Sequence, residues 1–341
     1  MKSSSLTILV CSLAMLSPAL AGNALRTNQF TATTASDAAL WQKQARQKLF
    51  EVMMGGAKPA RLPLDVKILQ RIESPTNRYV MEQLSLQSLP DRRVHAWLAV
   101  PKQPTGKVGG VLALHGHGGT GSQVVRGESL YGYGRALAEM GYLVISPDIG
   151  QHELQHTNWT LMGERTWDAL RCLDYLETRP EVDLARLAVA GLSLGGETTM
   201  YVAAMDERIQ AACSSGWLTT IANMKKGHCP CWNFPGLEAN FDFSDVFACI
   251  APRLLVLEVG EKERAPGGFP VDIARGAFAE IRSAYRVFGA ETNAILDVHP
   301  GGHVFHGELF WPPLQQKIGA ARRAAVNPSA PETEPPKPSL K

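Results

Sequence analysis

Neither sign of charge dominates this chain of 341 residues, because 34 basic side chains stand against 32 acidic ones and leave a formal net charge of +2. That is too weak a field to attract a polyanion, so nucleic acid is excluded as a main partner. No apolar run reaches the roughly 18 to 20 residues a bilayer-spanning helix needs, and no membrane span is expected. Six cysteines are too few for a disulfide-dense mini-fold. Self-similarity at a fixed period is absent, which argues against a solenoid. With 45% hydrophobic residues the chain has ample material for a large core. Its length allows two domains, yet α/β proteins often run this long as one.

The first residues read as an address. Lys2 supplies positive charge, 6–16 is apolar, and Ala19-Leu20-Ala21 offers a small-x-small cleavage site before Gly22. This three-part pattern predicts a secretory signal peptide over 1–21 and an exported product, secreted or periplasmic. Cys11 follows Val10 rather than a small residue, which disfavours a lipid anchor. Cleavage leaves Cys172, Cys213, Cys229, Cys231 and Cys249. The number is odd, and any bridge is expected within 213–249, where four of them fall.

Residues 22–62 form an N-terminal extension containing a predicted helix, 36–54, with Ser36 as cap and Leu40, Ala45, Leu49 and Met53 as its stripe. A domain of α/β type is then expected over 63–326. Two alternating runs, 80–86 and 94–100, turn around Leu89-Pro90-Asp91 and predict an antiparallel pair. Beyond them come continuous apolar runs at 111–114, 142–145, 187–190, 209–213, 254–259 and 294–298, the pattern of buried parallel strands. Helical stretches at 130–140, 164–177, 195–205 and 271–288 separate them. The expected architecture is therefore α/β: a doubly wound, mainly parallel sheet of about eight strands with helices on both faces. The aromatic segment 215–248 is expected to be an inserted lid, with Trp217 and Trp232 as candidate substrate contacts. The Pro-rich tail 327–341 reads as disordered.

Gly191-Leu192-Ser193-Leu194-Gly195 follows one strand directly and opens a helix. A serine on so sharp a turn is lifted above the carboxyl end of the sheet, and the flanking glycines avoid clashes across the turn. Ser193 is thus the candidate nucleophile. His303, just after the last strand in His299-Pro300-Gly301-Gly302-His303, is the candidate base. His299 is expected to be a buried partner and His306 to face outward. The third member is sought in Gly260-Glu261-Lys262-Glu263, which lies between serine and histidine in the chain. Glu263 is preferred, ahead of Glu261 and then Asp272. Donors for an oxyanion are expected from the Leu194 amide and from His117, with Gly118 the alternative, in His115-Gly116-His117-Gly118-Gly119.

These motifs in this order resemble the α/β-hydrolase superfamily, and within it the dienelactone-hydrolase and acetylxylan-esterase-like branch. The resemblance runs over 41–310 and also rests on Ser146-Pro147-Asp148, Trp167-Asp168 through Asp174-Tyr175-Leu176, Ala251-Pro252-Arg253 and Phe269-Pro270-Val271. It implies a Ser-His-acid ester hydrolase with no metal or organic cofactor, acting on a small-molecule or saccharide ester. In the family an aspartate usually precedes the Phe-Pro; here Glu263 holds that place.

Two further clusters are read structurally. Arg165 and Asp168 are expected to pair on a helix surface, with Trp167 a packing residue. His115 and His117 make a poor metal pair, and His228-Cys229-Pro230-Cys231-Trp232 lacks the usual ligand spacing. That segment is expected to anchor the lid, through a disulfide to Cys213 or Cys249. Rival functions are the same triad acting on a lactone or peptide bond, and a decayed hydrolase that only binds.

Overall fold

Nine strands form one sheet in the computed structural model, which describes residues 26–319 apart from 103, 105 and 157. The expected signal peptide and the Pro-rich tail lie outside the described residues. In chain order the strands are β1 (Lys67–Glu73), β2 (Tyr79–Leu89), β3 (Arg92–Pro101), β4 (Val108–Leu114), β5 (Leu143–Pro147), β6 (Val182–Leu192), β7 (Ile209–Ser215), β8 (Leu254–Gly260) and β9 (Ala294–His299). They lie side by side as β1-β2-β3-β5-β4-β6-β7-β8-β9. The first three and β5 pair antiparallel. From β5 onward every pairing is parallel.

The helices are α1 (Ala35–Met54), α2 (Gly121–Arg126), α3 (Gly132–Glu139), α4 (Leu161–Thr178), α5 (Leu194–Met205), α6 (Ile221–Met224), α7 (Leu237–Asn240), α8 (Phe243–Ala248), α9 (Val271–Val287) and α10 (Trp311–Ile318). Alternate residues of each central strand feed two cores. Leu112, Leu114, Leu255 and Leu257 pack with Leu49 of α1, Leu173 of α4, Val202 of α5 and Ile281 of α9. Val111, Ala113, Leu254 and Val256 pack on the other face with Val124 of α2, Leu137 of α3 and Leu314 of α10. Helices on both faces of a mainly parallel sheet are the expected doubly wound arrangement. Among the described residues no helix is long and apolar enough to cross a membrane.

Four readings change. The sheet has a ninth strand, β1, whose residues are nearly all exposed, so no apolar alternation announced it. Helix α1 is capped by Thr34, whose side chain accepts from the Asp37 amide, rather than by Ser36. Leu40 of the expected stripe is exposed, and Gln42 is buried instead because its amide donates to the carbonyls of Ala248 and Ala251. The Arg165–Asp168 surface pair does not form, because α4 has no solvent face: both residues are buried. Asp168 instead receives the guanidinium of Arg92 at 2.7 Å, and Glu164 lies 3.3 Å from the same group. Trp167 packs as expected, its indole N–H donating to the Ser88 carbonyl at 3.0 Å.

The segment between β7 and β8 folds as α6, a 3₁₀ turn at Pro230–Trp232, α7 and α8. Its aromatics Trp217, Trp232, Phe234, Phe241, Phe243 and Phe247 all turn inward and join the first core. Aromatic bulk holds this segment down, since no bridge does: all five described cysteines are free, and Cys213 and Cys249 are buried apart from Cys229 and Cys231. The expected disulfide is thereby corrected.

Candidate active site

Strand β6 runs straight into helix α5 through Ser193, which stands at φ 61° and ψ −121°. A non-glycine residue there carries strain of about 1–3 kcal/mol, which persists only where the surroundings over-determine it. They do so here. The Ser193 amide donates to the Ser215 carbonyl at 2.9 Å, and its carbonyl accepts from the Glu197 amide at 2.9 Å. The two glycines of the motif make the turn possible. A Cβ on Gly191 would lie 2.4 Å from the Gly195 carbonyl oxygen, and one on Gly195 would lie 2.0 Å from that of Leu114. Both obstacles are backbone and cannot swing aside. Gly195→Ala is therefore expected to destabilise the fold by at least about 3 kcal/mol, read from urea unfolding.

That close approach of α5 to the end of β4 brings the loop 115–119 over the serine. Gly116 is so near that a Cβ there would sit 3.2 Å from the Ser193 Cβ. The Gly119 amide bonds to the Gly116 carbonyl at 3.1 Å, with Gly118 at φ 68°. His117 occupies the corner of this turn, and Leu194 is the first residue of α5, where an amide has no acceptor within the helix. His115 is buried beneath the loop: its Nδ1 meets the Gly116 carbonyl at 2.8 Å and its Nε2 accepts from the Ile149 amide at 3.1 Å. Its role is to shape the loop.

His303 sits in the loop after β9. Its Nδ1–H donates to Glu263 Oε1 at 2.6 Å, and the other oxygen of Glu263 accepts from the Phe269 amide at 3.3 Å. Glu263 is buried, whereas Glu261 and Asp272 are exposed. Of the three carboxylates considered, Glu263 is the one that reaches the imidazole. Phe269 stacks on the His303 ring at 5.6 Å and 13°. On the other side the ring lies against Gly216, where a Cβ would stand 2.9 Å from Cε1. Gly216 directly follows the residue that accepts the Ser193 amide, so the ring is set beside the backbone that anchors the serine. Ser193 and His303 line the same cavity with no direct hydrogen bond between them, a looseness common before substrate enters.

The loop is fastened by residues the sequence reading passed over. Glu258, buried near the end of β8, accepts from the amides of His306 at 3.0 Å and Gly307 at 2.6 Å. A charged residue inside the apolar run Leu254–Gly260 was the available signal. His299 is buried and accepts from the Gly301 amide, as expected of it. His306 is not free on the outside but bonds to Asp297 at 2.8 Å.

The cavity measures about 400 Å³ and is lined by Ser193, His303, Glu263, His117, Trp217 and Trp232, together with Phe269, His228, Glu197, Cys229 and Cys231. All the side chains proposed from sequence for catalysis and substrate contact except Leu194, whose contribution is its amide, thus border one space. Two ring nitrogens of residues in that wall, Trp217 Nε1 and His228 Nε2, are buried without a partner. Glu197 is fully buried with both carboxylate oxygens unpartnered, and burial pushes its carboxyl up to about 8. Desolvation by the surrounding cavity wall pulls the His117 imidazole, although its edge is exposed, down to about 4, with the Arg165 charge adding to it.

One grouping bears on the expectation for metal ligands. His115 takes no part in it, but His117, His152, Cys229 and Cys231 bring their ligand atoms within 4.8 Å of one another. His152, in the loop after β5, carried no local signal, because its neighbours in this cluster are 35 and 77 or more positions away.

Comparison with known proteins agrees with this architecture. Residues 94–217 match the profile of the dienelactone hydrolase family. The chain is 28% identical to YtaP of Bacillus subtilis (strain 168), a protein itself assigned only provisionally as a hydrolase, over 67% of this chain and 84% of that one. Among solved structures, a glucuronoyl esterase from Solibacter usitatus superposes with a TM-score of 0.66 at 16% identity, covering 87% of this chain and 97% of that chain. An acetyl xylan esterase from Paenibacillus sp. R4 gives 0.56 at 16% identity, covering 85% and 97%. The fold is that of the α/β-hydrolases. Within it, the stretch from β3 through the nucleophile turn to Trp217 is similar to the dienelactone hydrolases, as the motifs led one to expect.

Proposed function

We infer that this protein is an exported serine hydrolase that cleaves carboxylic esters through an acyl-enzyme. The observation that carries the reading is the 2.6 Å bond between His303 and Glu263 beside a serine held in strained geometry in the same cavity. With Nδ1 engaged by Glu263, the free Nε2 takes the Ser193 proton as the oxygen attacks the ester carbonyl. The amides of Leu194 and His117 hold the resulting oxyanion. The imidazolium returns its proton to the departing alcohol, and a water activated by the same nitrogen then releases the acid. An intact acid partner speaks against a decayed, purely binding hydrolase.

The substrate class we favour is an ester on a saccharide. The aromatic residues Trp217, Trp232 and Phe269 and the polar residues His117, His228 and Glu197 that border the cavity suit the mixed polar and apolar surface of a sugar. The similar solved structures include proteins described as acetyl xylan and glucuronoyl esterases, which is the same class of substrate. Export fits a polymer outside the cell. A panel of acetylated xylooligosaccharide, a glucuronoyl ester, a feruloyl ester, a lactone and a dipeptide tests this directly. The saccharide esters are expected to give the highest kcat/KM; a lactone or peptide turned over fastest would reassign the substrate while leaving the triad in place.

A further inference from the structure

We propose that His117, His152, Cys229 and Cys231 form a tetrahedral zinc site on the rim of the active-site cavity. The four side chains come from three separate places: the loop after β4, the loop after β5, and the 3₁₀ turn between β7 and β8. His117 Nε2 lies 3.0 Å from Cys231 Sγ, and His152 Nε2 lies 3.7 Å from Cys229 Sγ. With Zn–S near 2.3 Å and Zn–N near 2.0–2.1 Å, a tetrahedron needs ligand atoms roughly 3.3–3.8 Å apart. The observed spacing reaches that with small side-chain rotations, and His117, His152 and Cys229 are exposed enough for an ion to enter.

Two sulfurs and two imidazoles are the donor set of a soft or borderline cation, not of calcium or magnesium. Binding Zn²⁺ would release both thiol protons to solvent, so ion and thiolates together are neutral. The unusual C-x-C spacing is accommodated because only two ligands come from that segment and Pro230 between them fixes the turn. If the esterase reading holds, the ion also has a positioning role. It would pin the His117 ring to the Cys229–Cys231 turn and so fix the loop whose amide meets the oxyanion.

The test is cobalt and zinc binding to the reduced, chelator-treated full-length protein, read by absorption and metal analysis rather than by catalysis. We expect one cobalt per chain, a thiolate-to-cobalt charge-transfer band, and displacement by one equivalent of zinc. The C229S/C231S variant should lose the band while its near-ultraviolet circular dichroism is retained. Should that variant fold poorly, His152→Ala, at an exposed position, is expected to weaken zinc binding by at least about tenfold. The proposal is overturned if the wild type takes up less than about a tenth of an equivalent, or if either variant that folds binds as the wild type does. Thiol counting that finds a Cys229–Cys231 disulfide reforming in place of metal uptake would overturn it as well.

Discussion

Ser193→Ala is expected to lower kcat/KM for a short-chain aryl ester by about four to six orders of magnitude, with urea stability changed by less than about 1 kcal/mol. The reasoning is local. The hydroxyl supplies the attacking oxygen of the proposed mechanism, yet the turn that carries it is held by backbone bonds, from its amide to Ser215 and from Glu197 to its carbonyl. Alanine keeps those bonds and the same strained backbone. Activity and stability should therefore separate. A variant that lost both together would indicate that the turn, and not the hydroxyl, had been disturbed.

Glu263→Gln should cost about a thousand- to ten-thousand-fold in kcat. Glu263 does two things: it fixes the His303 ring with a 2.6 Å bond and favours the tautomer whose Nε2 is unprotonated. It also stabilises the imidazolium as the proton arrives. Glutamine fills the same volume and can keep the Phe269 contact of 3.3 Å, but its amide hydrogen competes for Nδ1 and its charge is gone. Because serine, histidine and acid act as a unit, Ser193→Ala combined with Glu263→Gln should be no worse than Ser193→Ala alone. Steady-state kinetics on the two single variants and the double variant checks both statements. Additive losses would mean that Glu263 supports catalysis by some route that does not pass through the nucleophile.

How far the sequence alone could be read follows from where each residue finds its partners. The parallel strands are largely buried, β9 at the edge least so, and they stand out as apolar runs whose boundaries fall within five residues of the observed ones. Ser193 and His303 can be singled out because the chemistry proposed for them is tied to strand ends, and Glu263 because chain order leaves few acids to choose from. β1 was invisible, since an exposed edge strand needs no apolar face. The α4 charges were misread because spacing along a helix suggests local pairs, whereas Asp168 is satisfied by Arg92 on β3, 76 residues away. Glu258 shows in the sequence only as one charge inside an apolar run, and Glu197 only through its burial. The His117–His152–Cys229–Cys231 cluster was missed because its three chain segments lie far apart in sequence, and the rule of close ligand spacing applies to small zinc modules rather than to loops assembled by a large sheet.

The central claim is that His303, held by Glu263, makes Ser193 a nucleophile. Labelling with a fluorophosphonate followed by peptide mass mapping addresses it without any assumption about substrate. The account predicts one adduct per chain, on the peptide bearing Ser193, abolished in Ser193→Ala and slowed by at least about a thousandfold in His303→Ala. An adduct on another residue, or labelling as fast without the imidazole as with it, would contradict the account.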